Sequence, residues 1–194
     1  METLVNSNTV LYPMLATIES LSTRELELYN YTLTLAGSMD SMDEQLQKHG
    51  IFDQYRNIHK RYLNLFFNTE PEETKLEILK RLIFLNWYAL VEPSCYTGIL
   101  ELDHSTVVTS YSILNEYLVG NKIDKEFKWM LSHYSSWDFT ILPFSEDGLI
   151  ALTTFVKEVD TTVLSAPKKE IPKGTMDNRG QMGIYWMSCS VEED

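Results

Sequence analysis

The chain has 194 residues and a formal net charge of −12, from 28 acidic against 16 basic side chains. This charge repels nucleic acid phosphates and anionic lipid headgroups, so we expect neither nucleic acid nor a membrane as a partner. Hydrophobic residues make up 44% of the chain, which excludes wholesale disorder. The most apolar run, Leu82 to Val91, is interrupted only by Asn86 and reaches about half of the roughly 20 residues that span a bilayer.

The two cysteines, Cys95 and Cys189, lie far apart in the chain. Two distant thiols do not make the dense disulfide pattern of small secreted domains, and the sequence does not begin with an apolar signal segment. We therefore expect free thiols, a reducing compartment and a cytoplasmic location.

The first quarter of the chain contains signals for short helices. Ser22 followed by Glu25 has the spacing of a capping box, and apolar residues recur at helical spacing from there to Gly37. This pattern predicts a helix that begins at Ser22 and ends at Gly37. Gly50 can adopt a left-handed conformation, which predicts a sharp boundary between the next two helices.

Two longer helices are predicted in the middle of the chain. The second begins near Pro71 and ends before Pro93, because proline favours the first turn of a helix and disfavours its continuation. Its first half is two-sided, with Lys80 and Arg81 predicted to face water, whereas its second half is apolar nearly all round, as expected of a central helix. The first of the two carries one apolar stripe: Ile51, Tyr55, Ile58, Tyr62, Leu65 and Phe66.

The second half of the chain continues this pattern and then loses it. Asp103 or Ser105 can cap a helix that ends at Gly120, and two further helical patterns lie between residues 123 and 159. From Thr161 onward prolines and glycines interrupt every period, which predicts an irregular arm. Residues 184–187 of this arm are apolar, so we expect them to dock on the body, with a short strand as one form of that contact.

These patterns predict an all-α, single-domain fold of about six to seven helices in antiparallel pairs. Residues 1–160 form the helical domain, and residues 161–194 form the irregular C-terminal arm that docks on the same domain. No motif repeats at a fixed period, so the sequence leaves open whether the helices form a bundle or a short α-solenoid.

The loop after the predicted central helix, Glu92–Gly98, is the most distinctive local sequence. It places a thiol beside hydroxyl groups, so Cys95 could be a nucleophile with His104 or His133 as its base. No known catalytic spacing supports this arrangement, and a free cysteine is more often a small buried hydrophobic residue. Further candidates for the lining of such a site are Tyr96, Asp103 and Trp137.

A concentration of basic residues on the two middle helices offers a second candidate site. If the two helices pack antiparallel, the rim that binds an anion could combine three basic residues from each: Arg56, Lys60 and Arg61 with Lys75, Lys80 and Arg81. The simpler interpretation is a set of exposed ion pairs with neighbouring glutamates. The four histidines are scattered, and no glycine-rich phosphate loop follows a strand, so we predict no metal and no cofactor.

Two functional hypotheses follow. The preferred one is a non-enzymatic, acidic protein-interaction module, such as an inhibitor or immunity-type protein that occupies a basic partner, because complementary charge accelerates association. The alternative is a small-ligand-binding protein or a thiol-dependent enzyme with its site at the Cys95 loop.

Overall fold

The computed structural model describes residues 17–159 and 174–189, and every regular element within them is helical. The predicted all-α fold is therefore confirmed. None of the helices in these two ranges is both long enough and apolar enough to cross a bilayer. In chain order the helices are α1 (Ile18–Leu33), α2 (Met39–Lys48), α3 (Ile51–Phe67), α4 (Glu72–Val91), α5 (Ser94–Thr97), α6 (His104–Val119), α7 (Lys125–Tyr134), a 3₁₀ helix (Ser135–Thr140), α8 (Leu142–Ser145), α9 (Ile150–Glu158) and α10 (Gly180–Cys189).

Helix α1 begins earlier than the sequence pattern predicted. Thr17 is its N-cap and forms a reciprocal capping box with Ser20, whose backbone N–H donates to the Thr17 hydroxyl at 3.1 Å. Ser22 and Glu25 lie inside the helix on its buried face, so the predicted capping box at these residues is wrong. The spacing misled because residues three apart also share one face of a helix.

Helices α3 and α4 are antiparallel neighbours joined by a short connection. Gly50 adopts the left-handed conformation with φ of 64°, and α3 begins at the next residue, as predicted. The Lys75 ammonium lies over the Phe66 ring, whereas Arg81 lies over Tyr62, so the chain directions of the two helices are opposed.

Helix α4 is the centre of the fold, as its apolar second half predicted. Its residues from Ile78 to Trp87 are all buried, and the helix contacts α3, α5, α6, α10 and the 3₁₀ helix. In a solenoid each element contacts only its neighbours, so this arrangement is a bundle. Lys80 and Arg81 are only 5% and 4% exposed, which makes the expectation that they face water wrong.

Helices α6 to α9 cover the other side of α4. Asp103 caps α6 by accepting a hydrogen bond from the Thr106 backbone N–H at 3.0 Å, which is one of the two caps that the sequence predicted. The Tyr111 hydroxyl donates to the carbonyl of Thr140 at 3.0 Å, and this bond ties α6 to the end of the 3₁₀ helix.

The described part of the C-terminal arm is largely helical. Residues 180–189 form α10, so the suggested short strand is wrong. Trp186 is fully buried, and its indole N–H donates to the Tyr134 hydroxyl at 3.3 Å. The rest of the predicted arm, residues 161–173 and 190–194, lies outside the described residues.

Candidate functional site

A groove lies between α1 and residues 174–189, and we refer to it as the C-terminal groove. The backbone N–H of Gln181 donates to the Glu25 carboxylate at 3.1 Å, and one turn further along both helices Ile184 and Asn30 line the groove. Helices α1 and α10 therefore run in the same direction along its two sides. The groove offers about 400 Å³ of open space.

The lining of the C-terminal groove is apolar in one part and polar in the other. The apolar walls are Leu26 from α1 and Met176, Ile184 and Met187 from the C-terminal segment, and the polar lining is Asn30, Asp177, Asn178 and Arg179. Methionine side chains adapt to irregular shapes, which suits a surface that receives another side chain. Glycine is required at the floor, because a Cβ atom at Gly180 would lie 2.5 Å from a carboxylate oxygen of Glu25.

A buried polar cluster beneath the groove holds the C-terminal segment in place. The Glu25 carboxylate accepts a hydrogen bond from the Tyr62 hydroxyl at 2.5 Å as well as the one from Gln181. The Arg81 guanidinium donates to the hydroxyls of Tyr62 and Ser22, and also to the carbonyl of Asn178 at 3.3 Å. Burial raises the pKa of Glu25, against the lowering effects of the Tyr62 hydrogen bond, the Arg81 charge and the Gln181 N–H.

A second ionic cluster continues from the first. Arg179 donates to both Glu77 and Glu126, and Lys80 donates to Glu126 at 2.8 Å and to Asp124 at 2.6 Å. Burial raises the pKa of Glu126, but hydrogen bonds from Arg179 and Lys80 outweigh it, so the net shift is downward. The positive charge of Arg179 at the groove wall is thus matched by two carboxylates.

Ion pairs engage most of the basic side chains in the described part of the chain. Most of the described lysines and arginines already lie beside an acidic side chain, on the surface as well as in the buried clusters. Asp177, at the edge of the C-terminal groove, is exposed and makes no ion pair within the described residues. An unpaired carboxylate therefore borders the apolar walls.

The Cys95 thiol is buried in α5. Burial, with the nearby Asp43 carboxylate, raises its pKa, whereas a nucleophilic cysteine needs a lowered one. Within the described ranges no hydrogen bond joins Cys95 to His104 or His133. Its neighbour Tyr96 is half exposed and points away from the core.

His133 and Trp137 lie together, but in a different place from Cys95. Their ring centroids are 5.1 Å apart, and the His133 Nε2 atom is 2.7 Å from the Tyr185 hydroxyl of α10. Burial lowers the pKa of His133 to about 4, so this imidazole is neutral near pH 7. The pair belongs to an aromatic cluster with Trp87, Tyr134 and Trp186.

His104 lines a separate, smaller concavity, which we call the Asn86 pocket. It lies between α4, the loop before α6, and α6 itself, and has a volume of about 140 Å³. Asp103 is adjacent in the chain but caps α6 and pairs with Lys60, and hydrogen bonds from Ser105, Lys60 and Thr106 lower its pKa.

Arg56 and Lys60 do not form the predicted basic rim with Lys80 and Arg81. Arg56 donates to the carbonyl of Leu100 at 3.2 Å, and Lys60 pairs with Asp103 at 2.9 Å, so both hold the loop between α5 and α6. Lys80 and Arg81 are instead buried in the ionic clusters. The four side chains therefore have separate partners and do not converge on one place.

Sequence reasoning missed the C-terminal groove because the glycines of the arm were interpreted only as helix breakers. The available signal was the spacing of Gly180 and Gly183, since small residues three apart let a helix approach its neighbour closely.

In the described ranges no three histidine, cysteine or acidic side chains converge as a metal site would require. Comparison with protein-family models, curated proteins and solved structures found no match to this chain.

Proposed function

We propose that this protein is an acidic interaction module whose C-terminal groove binds a basic segment of a partner protein. The observation that carries the proposal is the combination of apolar walls with an unpaired carboxylate at the edge, Asp177. An amphipathic helix commonly binds by laying its apolar side chains into such a groove between helices.

Charge complementarity selects a basic partner over an acidic or neutral one. The chain carries a net charge of −12, and the one cation at the groove wall, Arg179, is matched by Glu77 and Glu126. Lysines or arginines beside the apolar anchors of the partner would meet Asp177 without a competing positive charge. The long-range field of the protein would also accelerate the encounter at low salt. An inhibitor or immunity-type protein would use its surface in this way.

The experiment that tests this function is selection of peptides of about twelve residues, displayed at random, on the immobilised full-length protein. We expect the selected peptides to combine two apolar anchors with lysine or arginine, and their affinity to fall when the salt concentration rises. Peptides without basic residues, or with salt-independent affinity, would contradict the choice of a basic partner.

A matched pair of variants locates the binding site. Ile184→Lys places a positive charge in the C-terminal groove, whereas Ile150→Lys makes the same change at an isoleucine of α9 that is 77% exposed and does not line the groove. We expect the first to weaken peptide affinity at least tenfold and the second to change it less than twofold. Equal losses, or no loss in either variant, would exclude the C-terminal groove as the site.

A further inference from the structure

The Asn86 pocket has the size of a single six-membered ring. Its apolar walls come from Ala89 and Leu90 of α4, Leu102 of the loop, Val107 of α6, and Phe144 of α8. An apolar cavity of about 150 Å³ in another protein binds benzene, and the volume here is about 140 Å³. The pocket is open on one side, so a substituent on the ring can reach the surface.

The charge at this pocket is negative. Glu101 is the one charged residue of the lining, and His104 is the other polar residue at the exposed side. No lysine or arginine belongs to the lining. Arg56 and Lys60 approach the same loop at Leu100 and Asp103, but each already pairs with an aspartate. A cationic ligand would find a counter-charge in Glu101.

Glu101 adopts a backbone conformation that glutamate disfavours. Its φ is 49°, in the left-handed region, which costs a residue with a Cβ atom roughly 1–2 kcal/mol. Its carboxylate makes no hydrogen bond or ion pair with the described residues, so no internal contact explains the choice of glutamate over glycine or asparagine. Strained residues of this kind cluster at ligand-binding sites.

Asn86 lines the pocket on the α4 side, and its amide is held in place by α6. Its Nδ2 donates to the Ser110 hydroxyl at 2.7 Å, and that hydroxyl donates its own hydrogen to the Val107 carbonyl at 2.8 Å, which fixes the orientation of the amide. The Asn86 Oδ1 atom has almost no accessible surface, and the amide lies beside the His59 ring. The aromatic wall of the pocket is Phe144, and contacts between aromatic rings favour an aromatic ligand over a saturated one.

We propose that the Asn86 pocket binds a small aromatic amine. The ring lies between Leu90, Val107 and Phe144, and the ammonium group pairs with the Glu101 carboxylate. This site is separate from the C-terminal groove, so a negative result in the benzylamine experiment does not bear on the peptide-binding proposal, and the reverse also holds.

The first experiment titrates the full-length, ¹⁵N-labelled protein with benzylamine, benzyl alcohol, benzoate and cyclohexylmethylamine, followed by amide chemical shifts. We expect benzylamine to shift the signals of Ala89, Leu102 and Val107 and to saturate them in about the millimolar range. Benzyl alcohol should bind at least fivefold more weakly, and benzoate should not bind. If benzoate binds as tightly as benzylamine, or if the shifts are confined to other residues, the proposal is wrong. If cyclohexylmethylamine binds as tightly as benzylamine, the preference for an aromatic ring is wrong.

The second experiment separates ligand binding from structural support. Glu101→Asn keeps a residue that tolerates the left-handed conformation, so we expect an unchanged or higher melting temperature together with at least fivefold weaker benzylamine binding. Asp138→Asn, which removes an exposed carboxylate outside the pocket, is the matched control and should leave the affinity unchanged. Ala89→Phe should fill the pocket and abolish binding. Full benzylamine affinity in Glu101→Asn or in folded Ala89→Phe would refute the site.

Discussion

His59 lies on the buried face of α3 beside the Asn86 side chain and the Leu82 backbone, and neither of its ring nitrogens makes a hydrogen bond of ordinary geometry. Burial lowers its pKa from 6.5 to about 4, so the folded protein keeps it neutral while the unfolded chain takes up a proton below pH 6.5. The stability that neutral His59 confers is therefore present above pH 6.5 and is lost as the pH falls towards 4. The loss amounts to about 3 kcal/mol.

The variant His59→Leu tests this residue. Leucine removes both unbonded nitrogens, so we expect a free energy of unfolding at pH 7.5 equal to or above that of the native protein. Between pH 6.5 and 4.5 the variant should lose about 2 kcal/mol less than the native protein, because the remainder of the His59 effect falls outside this range. Urea unfolding of both proteins across this range measures the difference. The pKa of His133 is also lowered by burial, but its contribution to the pH dependence is the same in both proteins and cancels in the comparison. Parallel pH profiles would contradict the assignment.

Glu25 depends on pH in the opposite sense. Burial raises its pKa, so in the folded protein its carboxyl group takes up a proton at a higher pH than the ordinary value of 4.5. The protonated Glu25 carboxyl therefore contributes stability that is fully present below the pKa it has in the unfolded chain. This contribution is lost as the pH rises through the pKa it has in the folded protein. Glu25→Gln has no titrating group here, so lowering the pH from 7 to 4.5 should shift the stability difference in favour of the native protein. Free energies of unfolding at pH 7, 6 and 5 check this sign, and a shift in favour of the variant would contradict it.

The close approach of α10 to the body depends on a glycine that packs against backbone. A Cβ atom at Gly183 would clash with the carbonyl oxygen of Met176, which cannot move aside as the end of a flexible side chain could. We expect Gly183→Ala to destabilise the protein by about 1–3 kcal/mol and to weaken peptide binding in the C-terminal groove.

Thermal unfolding and the selected peptides measure both effects of Gly183→Ala. Gly120→Ala is a control for glycine replacement in general, because neither Gly183 nor Gly120 has a left-handed φ and a Cβ atom at Gly120 would lie no closer than 3.3 Å to its neighbours. An equal loss of stability in the two variants would show that glycine replacement itself, and not the contact with Met176, determines the result.

The sequence predicted those elements whose pattern is local. The stripe of α3 and the apolar second half of α4 were predicted because each follows the helical period within one segment. Ser22, Glu25 and Arg81 were misplaced because the partners that bury them lie 19 to 156 residues away, and no local pattern encodes such contacts. The spacing of Gly180 and Gly183 was a local signal for a closely packed helix, but it could not identify α1, at the other end of the chain, as the second wall of the C-terminal groove.

At the scale of the whole molecule, three basic side chains are used inside the fold. Lys80, Arg81 and Arg179 are buried among carboxylates, whereas Arg24, Lys122 and Lys157 form ion pairs on the surface. The net charge of the chain is −12. An interaction with a basic partner would then gain its rate from the overall field and its specificity from the C-terminal groove.

Residues 174–189 complete the core of the fold, and their removal should therefore unfold it. Met176, Met182 and Trp186 are buried, and burying such side chains stabilises a protein by about 1.5–3 kcal/mol each. Their sum approaches the total stability of a typical domain, and truncation after Lys173 would also leave Glu25 and Arg81 without partners. We expect the truncated chain to lose its cooperative thermal transition and the near-ultraviolet circular dichroism of its tryptophans. A cooperative transition within a few degrees of the native one would instead mean that this segment is an accessory to a body that folds alone.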